Sequence, residues 1–468
     1  MSMQRRDAEN QPDFWLATSE LAKSPGHPFY ERLNKILAEA GFDRFVEERC
    51  VRFYAQDKGR PGIAPGVYMR MLLIGFFEGI DSERGIAWRC ADSLSLRSFL
   101  GFAMSQPTPE HSSLCRIRQR LDVETHQEVF TFVLKILAEK GLLKGRAIGI
   151  DATTLEANAA LRSIVRRDDG TSYADFLESL AKESGIATPT RSDLARIDKK
   201  RKRKGSNDDW KHPHDPDAKI TKMKDGRTHL AHKAEHAADL DSGAVLAVTV
   251  QDATLGDSTT MKQTMAATAT NVAALASDKK CSKKIPATAL KTWVADKGYH
   301  SNATMEMVAD LDLKSFVSEP ERGRRRWKDH ETAQRGTYAN RRRVRSRRGR
   351  AWMRKRGEMI ERGFAHCLET GGMRRVHLRG RLNILKRYLV HVAAFNLSLV
   401  MRQLLGVGTP RGLQGRLAAL AALWRDLFDL VIALLHRIER EIGIHPNFVI
   451  ISAPHAPAAA AVTSSTGC

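Results

Sequence analysis

The chain is short of acid. It has 54 Asp and Glu against 76 Lys and Arg, which leaves a formal net charge of +22 and a pI near 9.9. A deficit of that size excludes no fold, but it attracts polyanions, nucleic acid first and anionic membrane second. Long hydrophobic runs are missing too. The most apolar late stretch, LAALAALWRDLFDLVIALLHRI, is broken by Arg425, Asp426 and Asp429 and reads as an amphipathic helix rather than a membrane span. The opening MSMQRRDAENQPDFW lacks the apolar centre of a signal peptide. Cysteine is scarce: Cys50, Cys90, Cys115, Cys281, Cys367 and Cys468 never fall in CxxC spacing, which speaks against a zinc site and fits reduced thiols. These absences describe a basic, cytoplasmic protein with no membrane partner and room for two or three domains.

What is present changes along the chain. Residues 1–26 are expected to be disordered, and residues 27–142 read as helical. FYERLNKILAEAG has apolar residues at helical spacing, while YMRMLLIGFFEGI is apolar nearly all round, as a buried helix is. In TPEHSSLCRIRQRLD, Thr108 is the expected N-cap, with Pro109 and Glu110 in the first turn. Leu114, Ile117 and Leu121 then turn inward, and Ser112, Ser113, Arg116 and Arg120 face out. Short hydroxyls and arginines on one face suit a helix that reads the major groove; a solvated basic face is the plainer alternative.

At GRAIGIDATTLEA the period changes from helix to strand. Ile148 and Ile150 face one way, and Gly149, Asp151 and Thr153 the other. A carboxylate in an apolar strand is costly to bury without a partner, so Asp151 stands out. Residues 158–220 form a polar insertion with one helix, SYADFLESLAKES, and a basic run from Lys199 to Lys204 whose Lys202 and Arg203 can meet phosphate. THLAHKAEHAADL, DSG and AVLAVTV make a hairpin. His229, His232 and His236 do not make a zinc site there, since only His232 and His236 share a face and no fourth ligand is visible.

A helix of small residues, TTMKQTMAATATNVAALA, leads to TWVADKGYHS, where Asp296 closes the strand KTWVA. Ligand groups gather at the carboxyl ends of strands. An aspartate capping a turn before Lys297 and Gly298 accounts for the position as well. LKSFVSE reads as a further strand. Residues 321–350 then hold 13 Lys or Arg and 3 acids, with Trp327 and Tyr338 interleaved. They are expected to form an arm without a core, laid along a phosphate backbone through Arg324, Arg325, Arg341, Arg342 and Arg343.

The helix AWMRKRGEMIERGFAHCLETGG offers a third acid. Met353, Ile360, Phe364 and Cys367 form its apolar stripe; Glu361 lies beside that stripe and Glu358 points nearly away. The order of elements resembles an α/β, ribonuclease H-like mixed sheet flanked by helices and preceded by an all-α N-terminal domain. Asp151, Asp296 and Glu361 resemble the DDE triad of bacterial insertion-sequence transposases. GIDATTLEANA, VADKGYHS and ERGFAHCLETGGMRRVHLRG look like blocks of that family, and the likeness runs over roughly residues 25–410. The sequence departs from the pattern in one respect. Many relatives place an arginine four residues before the glutamate and a lysine seven after, where this chain has Gly357 and Leu368.

The resemblance implies a helical DNA-binding domain at 27–142 and a catalytic domain at 143–407. A C-terminal helical segment at 408–450 and a disordered tail at 451–468 would follow. It implies that the three acids hold two Mg²⁺ ions, with Mn²⁺ as a substitute. A homodimer would act on double-stranded DNA, at the terminal inverted repeats and at a target. The acids alone account for phosphodiester hydrolysis; strand transfer comes from the resemblance. The competing readings are a ribonuclease H-like nuclease without strand transfer and a catalytically inactive DNA-binding derivative.

Overall fold

The computed structural model describes residues 26–55, 62–201, 205–223, 226–321, 323, 325–413 and 416–442. The expected disordered ends lie outside these residues, apart from Gly26, as do Lys202, Arg203 and Arg324.

Among the described residues seven α-helices come first: α1 (Pro28–Ala40), α2 (Phe42–Cys50), α3 (Pro65–Glu78), α4 (Glu83–Asp92), α5 (Leu94–Leu100), α6 (His111–Arg120) and α7 (Val123–Glu139). In α1 the ring nitrogen of His27 accepts from the Phe29 amide, and Gly41, at φ +71°, closes the C-terminus in a conformation that glycine adopts most easily. Phe29, Leu33, Ile36 and Leu37 recur at helical spacing and are buried. α3 is buried nearly all round; its Arg70 is satisfied by Asp43, Asn34 and the Phe99 carbonyl. α6 starts later than the sequence suggested. Its N-cap is Glu110, whose extended backbone (ψ 160°) and lack of a side-chain cap bond displace Thr108 from that role. The first helical residue is His111, so Thr108 lies two positions too early to cap it. Leu114, Ile117 and Leu121 do face the core.

The sheet starts with β1 (Ala147–Glu156). β2 (Val165–Arg166) follows, then α8 (Tyr173–Glu183), α9 (Arg191–Lys200) and β3 (Trp210–Lys211), which pairs β2 in a separate ribbon. Next come β4 (Lys219–Lys222), β5 (Thr228–Asp239), β6 (Val245–Asp252), α10 (Asp257–Ala276), β7 (Thr292–Ala295), α11 (Asn302–Asp310) and β8 (Lys314–Val317). The main sheet runs β4-β5-β1-β7-β8, with β6 also on β5. β5 is antiparallel to β1, β4 and β6, and β1, β7 and β8 are parallel. Alternation along β1 is weaker than expected: Ala147 to Ile150 are all buried, because helices cover both faces.

The basic segment is not a coreless arm. It folds into α12 (Glu331–Arg345) and the start of α13 (Arg347–Ala365). Ala333, Thr337 and Asn340 are buried, and the Asn340 amide bonds both the N–H and the C=O of Val317, extending the edge of β8. Glu319 takes Arg325 and Arg341, and Arg343 binds the carbonyl and hydroxyl of Ser315. Composition hid these partners, since they lie just upstream of the basic run. Trp327 and Tyr338 lie beside each other, 6.2 Å between ring centroids.

α14 (Arg381–Leu405) runs through the middle. It is the only described helix long and apolar enough to cross a membrane, and 72% of its apolar window is buried inside the protein. One continuous core joins α1, α3 and α7 to α14, β1 and β6. α15 (Arg416–Ile442) exposes Leu423, Trp424, Leu427 and Phe428.

Candidate active site

Parallel pairing of β1 with β7 sets Ala147 against Thr292, Ile148 against Trp293 and Gly149 against Val294. The same offset carried four residues along puts Asp151 level with Asp296. The Asp151 Oδ1 accepts from the Ala152 amide (2.8 Å), and its Oδ2 accepts from Arg356 Nη1 (2.9 Å). Burial raises the Asp151 pKa, the Arg356 guanidinium opposes that rise, and the charge of Asp296 adds to it. Asp296 Oδ1 accepts from the Gly298 amide (2.9 Å) and so caps the short turn Lys297–Tyr299. The turn-capping role and the strand-end position that the sequence left as alternatives therefore coexist.

That turn is tight. A side-chain carbon on Gly298 would sit 2.4 Å from Asp257 Oδ2 and 3.2 Å from Asp296 Oδ1, so the two carboxylates flank a position only glycine can fill without a shift. Asp257, the first residue of α10, is held by Lys233 Nζ at 2.6 Å. Lys233 also donates to the Leu255 carbonyl and to Thr260. Beneath lies Glu235, buried, with Thr260 and Tyr299 donating to one oxygen at 2.8 Å each and Thr264 to the other. Sequence reasoning passed over this set. Its trace was there: Lys233 and Glu235 two apart on a strand, Thr260 and Thr264 four apart on the facing helix.

α13 crosses the other face. Ile360 and Arg356 lie over Gly149, where a Cβ would come within 3.0 Å and 3.1 Å of them, and Phe364 stacks on His236 at 4.4 Å. Glu361 is one residue, about 100° of helix, from buried Ile360, and Glu358 is about 160° from it. Both are exposed, and neither makes a hydrogen bond or ion pair among the described residues. The structure thus brings Asp151, Asp296 and Arg356 together and leaves Glu361 on the flank of its helix. Arg356 also bears on the departure noted at Gly357: the arginine one position earlier is the one that reaches the first aspartate.

The proposed DNA contacts fare unevenly. Ser112 and Ser113 are half-buried, and Arg116 is exposed, 3.4 Å from the Ser112 hydroxyl. Arg325, Arg341 and Arg343 are bound within the protein as above. Arg342 is exposed and makes no side-chain bond among the described residues.

Among the described residues no three His, Cys, Asp or Glu groups converge into a ready-made metal cage. The donor set still fits a hard divalent cation. Mg²⁺ is usually held by one or two carboxylates plus substrate phosphate, and the Asp151 carboxylate already accepts a cationic partner in Arg356.

A mixed sheet in this order, covered by helices and carrying one aspartate midway along β1 level with another just past the end of the neighbouring β7, is a ribonuclease H-like fold. Residues 207–397 match the family described as Transposase DDE domain, a span that includes Asp296 and Glu361 and begins after Asp151. Residues 18–120 match Transposase domain (DUF772). No curated protein and no solved structure matches the chain. By these two matches the chain belongs to the DDE-type insertion-sequence transposases, a family that acts on DNA and generally uses divalent metals.

Proposed function

We propose that this chain cuts DNA at the ends of an insertion element and joins the freed strand to target DNA, with Asp151, Asp296 and Glu361 as its catalytic acids. The observation that carries this is Asp151, midway along β1, level with Asp296 just past the end of β7, in a chain that belongs to the transposase family. Water attacks the phosphorus at the element end, and the 3′ oxygen leaves as a hydroxyl. That hydroxyl then attacks a target phosphodiester, forming one new ester and releasing the target's own 3′ hydroxyl. Two Mg²⁺ ions, with Mn²⁺ able to replace them, would be held by the three acids and would supply nucleophile activation and charge neutralisation.

The protein's own groups do the positioning. Arg356 orients the Asp151 carboxylate and offsets its charge until substrate enters. The Glu235–Tyr299 bond anchors the turn that carries Asp296. The chain works in the bacterial cytoplasm as a homodimer on DNA, with α6 and its Ser112, Ser113 and Arg116 reading the terminal repeats.

The test is an end-labelled duplex taken from the DNA flanking the coding region, incubated with Mg²⁺ and a supercoiled target. The wild type nicks the duplex and gives a joined product, whereas Asp151→Asn and Asp296→Asn bind it in a gel shift and do neither. Nicking without joined product would mark a nuclease, and nicking by either variant would remove that aspartate from the site.

A further inference from the structure

At the far end of β1 and β7 from the aspartates lies a cavity of about 490 Å³. That size falls within the range of about 300–1,000 Å³ typical of ligand sites. Arg146 and Lys291 stand just before the two strands, and Arg348 and Trp352 enter from the first turns of α13. All three cations are exposed, and none makes a side-chain hydrogen bond or ion pair among the described residues. The one acid in the wall, Asp241, is already neutralised by Lys355 at 3.1 Å. The indole Nε1 of Trp352 is buried with no acceptor in the protein. Three uncommitted cations and an unused N–H donor around one hollow suit an anion, and arginine's fork matches the oxygens of a phosphate.

The spacing says which phosphate. Four residues separate Ala147 from Asp151 on β1, about 13 Å at roughly 3.3 Å per residue. Nine residues separate Trp352 from Glu361 on α13, about 13.5 Å at 1.5 Å per residue. The rise along the duplex axis is about 3.4 Å per nucleotide and successive phosphates also advance around the helix, so fewer than about four nucleotides span that gap. We infer that this cavity holds a nearby backbone phosphate of the DNA strand, about 13 Å from the one being cut, gripped by Arg146, Lys291 and Arg348. α13 would then tie the two points together, with its first turns on that phosphate and Glu361 at the chemistry. This rests on the chain acting on DNA as proposed above.

The test compares two charge-matched double variants of the full chain. Arg146→Ala with Arg348→Ala empties the cavity of two cations. Arg347→Ala with Arg350→Ala removes two equally exposed charges outside it. Binding to the flanking-DNA duplex is measured against salt above about 0.15 M, where screening acts within about 8 Å. The cavity pair should lower the slope of log K against log salt by about 0.9, one phosphate's worth, and the control pair should leave it unchanged. A set of duplexes, each with a single uncharged methylphosphonate, should show one position that weakens the wild type and has no effect on the cavity pair. Equal slope losses in both pairs, or the same methylphosphonate map for wild type and cavity pair, would overturn the inference. Metal-dependent nicking is scored separately. Nicking with no slope difference removes the cavity and leaves the transposase reading; a mapped phosphate without nicking does the reverse.

Discussion

The two faces of the central sheet hold their carboxylates in opposite ways. Glu235 and Asp151 sit on neighbouring strands, Glu235 opposite Ala152, and burial raises the pKa of both. On the face covered by α10, the Glu235 oxygens receive Thr260, Thr264 and Tyr299, and the whole cluster closes on itself through Lys233. On the face crossed by α13, Asp151 has one amide and one guanidinium, and Asp296 has one amide. A shifted pKa therefore does not separate structure from chemistry here. Occupancy and enclosure do: a carboxylate with three of its four lone-pair sites filled inside a closed cluster holds a fold together, and one with more to spare beside an open face can take a substrate or an ion.

The contrast is most exposed at Glu361, which is exposed and without a bond among the described residues. If spare lone pairs mark chemistry, Glu361→Gln abolishes nicking in Mg²⁺ while gel-shift affinity stays. Glu358→Gln, three residues back and farther from the buried face, cuts at nearly the wild-type rate. Labelled-duplex nicking decides it, and a dead Glu358→Gln beside an active Glu361→Gln would transfer the role.

The α10 face should answer in stability. Glu235→Leu leaves the hydroxyls of Thr260, Thr264 and Tyr299 without that acceptor and should cost about 3–5 kcal/mol, at about 1–3 kcal/mol for each buried polar group left unsatisfied. Urea unfolding measures it. A loss under about 1 kcal/mol would mean that water replaces the carboxylate and that this face is less closed than described.

Acid should act on the core more gradually. Burial holds His126 at about 4 and His236 and His391 at about 3, all below the ordinary value of 6.5. The unfolded chain takes up these protons below about pH 6.5 and the folded chain does not. Stability is therefore full above that pH and is lost as pH falls toward 4, by about 1.4 kcal/mol per histidine per pH unit. Melting temperature against pH reads the trend, and His126→Phe should flatten it by one histidine's share.

Much of this was legible in the sequence. Strand period and turn chemistry placed β1, the β5–β6 hairpin, β7 with Asp296 at its end, and β8, because strand period and the Asp-Ser-Gly and Asp-Lys-Gly turns are local signals. The partners were not legible. Arg356 reaching Asp151 spans 205 residues, and Tyr299 reaching Glu235 spans 64, distances over which composition carries no register. The basic segment misled for the same reason. Thirteen positive charges look like a solvated arm until Glu319, Ser315 and Val317 are seen to take four of its side chains, Arg325, Arg341, Arg343 and Asn340.

That segment also carries the smallest effect, and it separates bound from spare groups among cations as Glu235 and Asp151 do among acids. Arg341 grips Glu319 through two nitrogens, and Arg343 binds Ser315. Arg342, between them, is exposed and makes no side-chain bond among the described residues. Only the uncommitted arginine can release a counterion from DNA at no internal cost. Arg342→Ala should lower the salt slope of duplex binding by up to about 0.9 and leave the melting temperature alone. Arg341→Ala should leave the slope unchanged and cost up to about 1 kcal/mol of stability, discounted because the pair is partly exposed. Titrations of both variants against salt, each paired with a melt, decide between them. A slope that falls for Arg341→Ala would mean that Glu319 gives up its arginine when DNA arrives, so that bonds within the free protein do not mark which cations are spent.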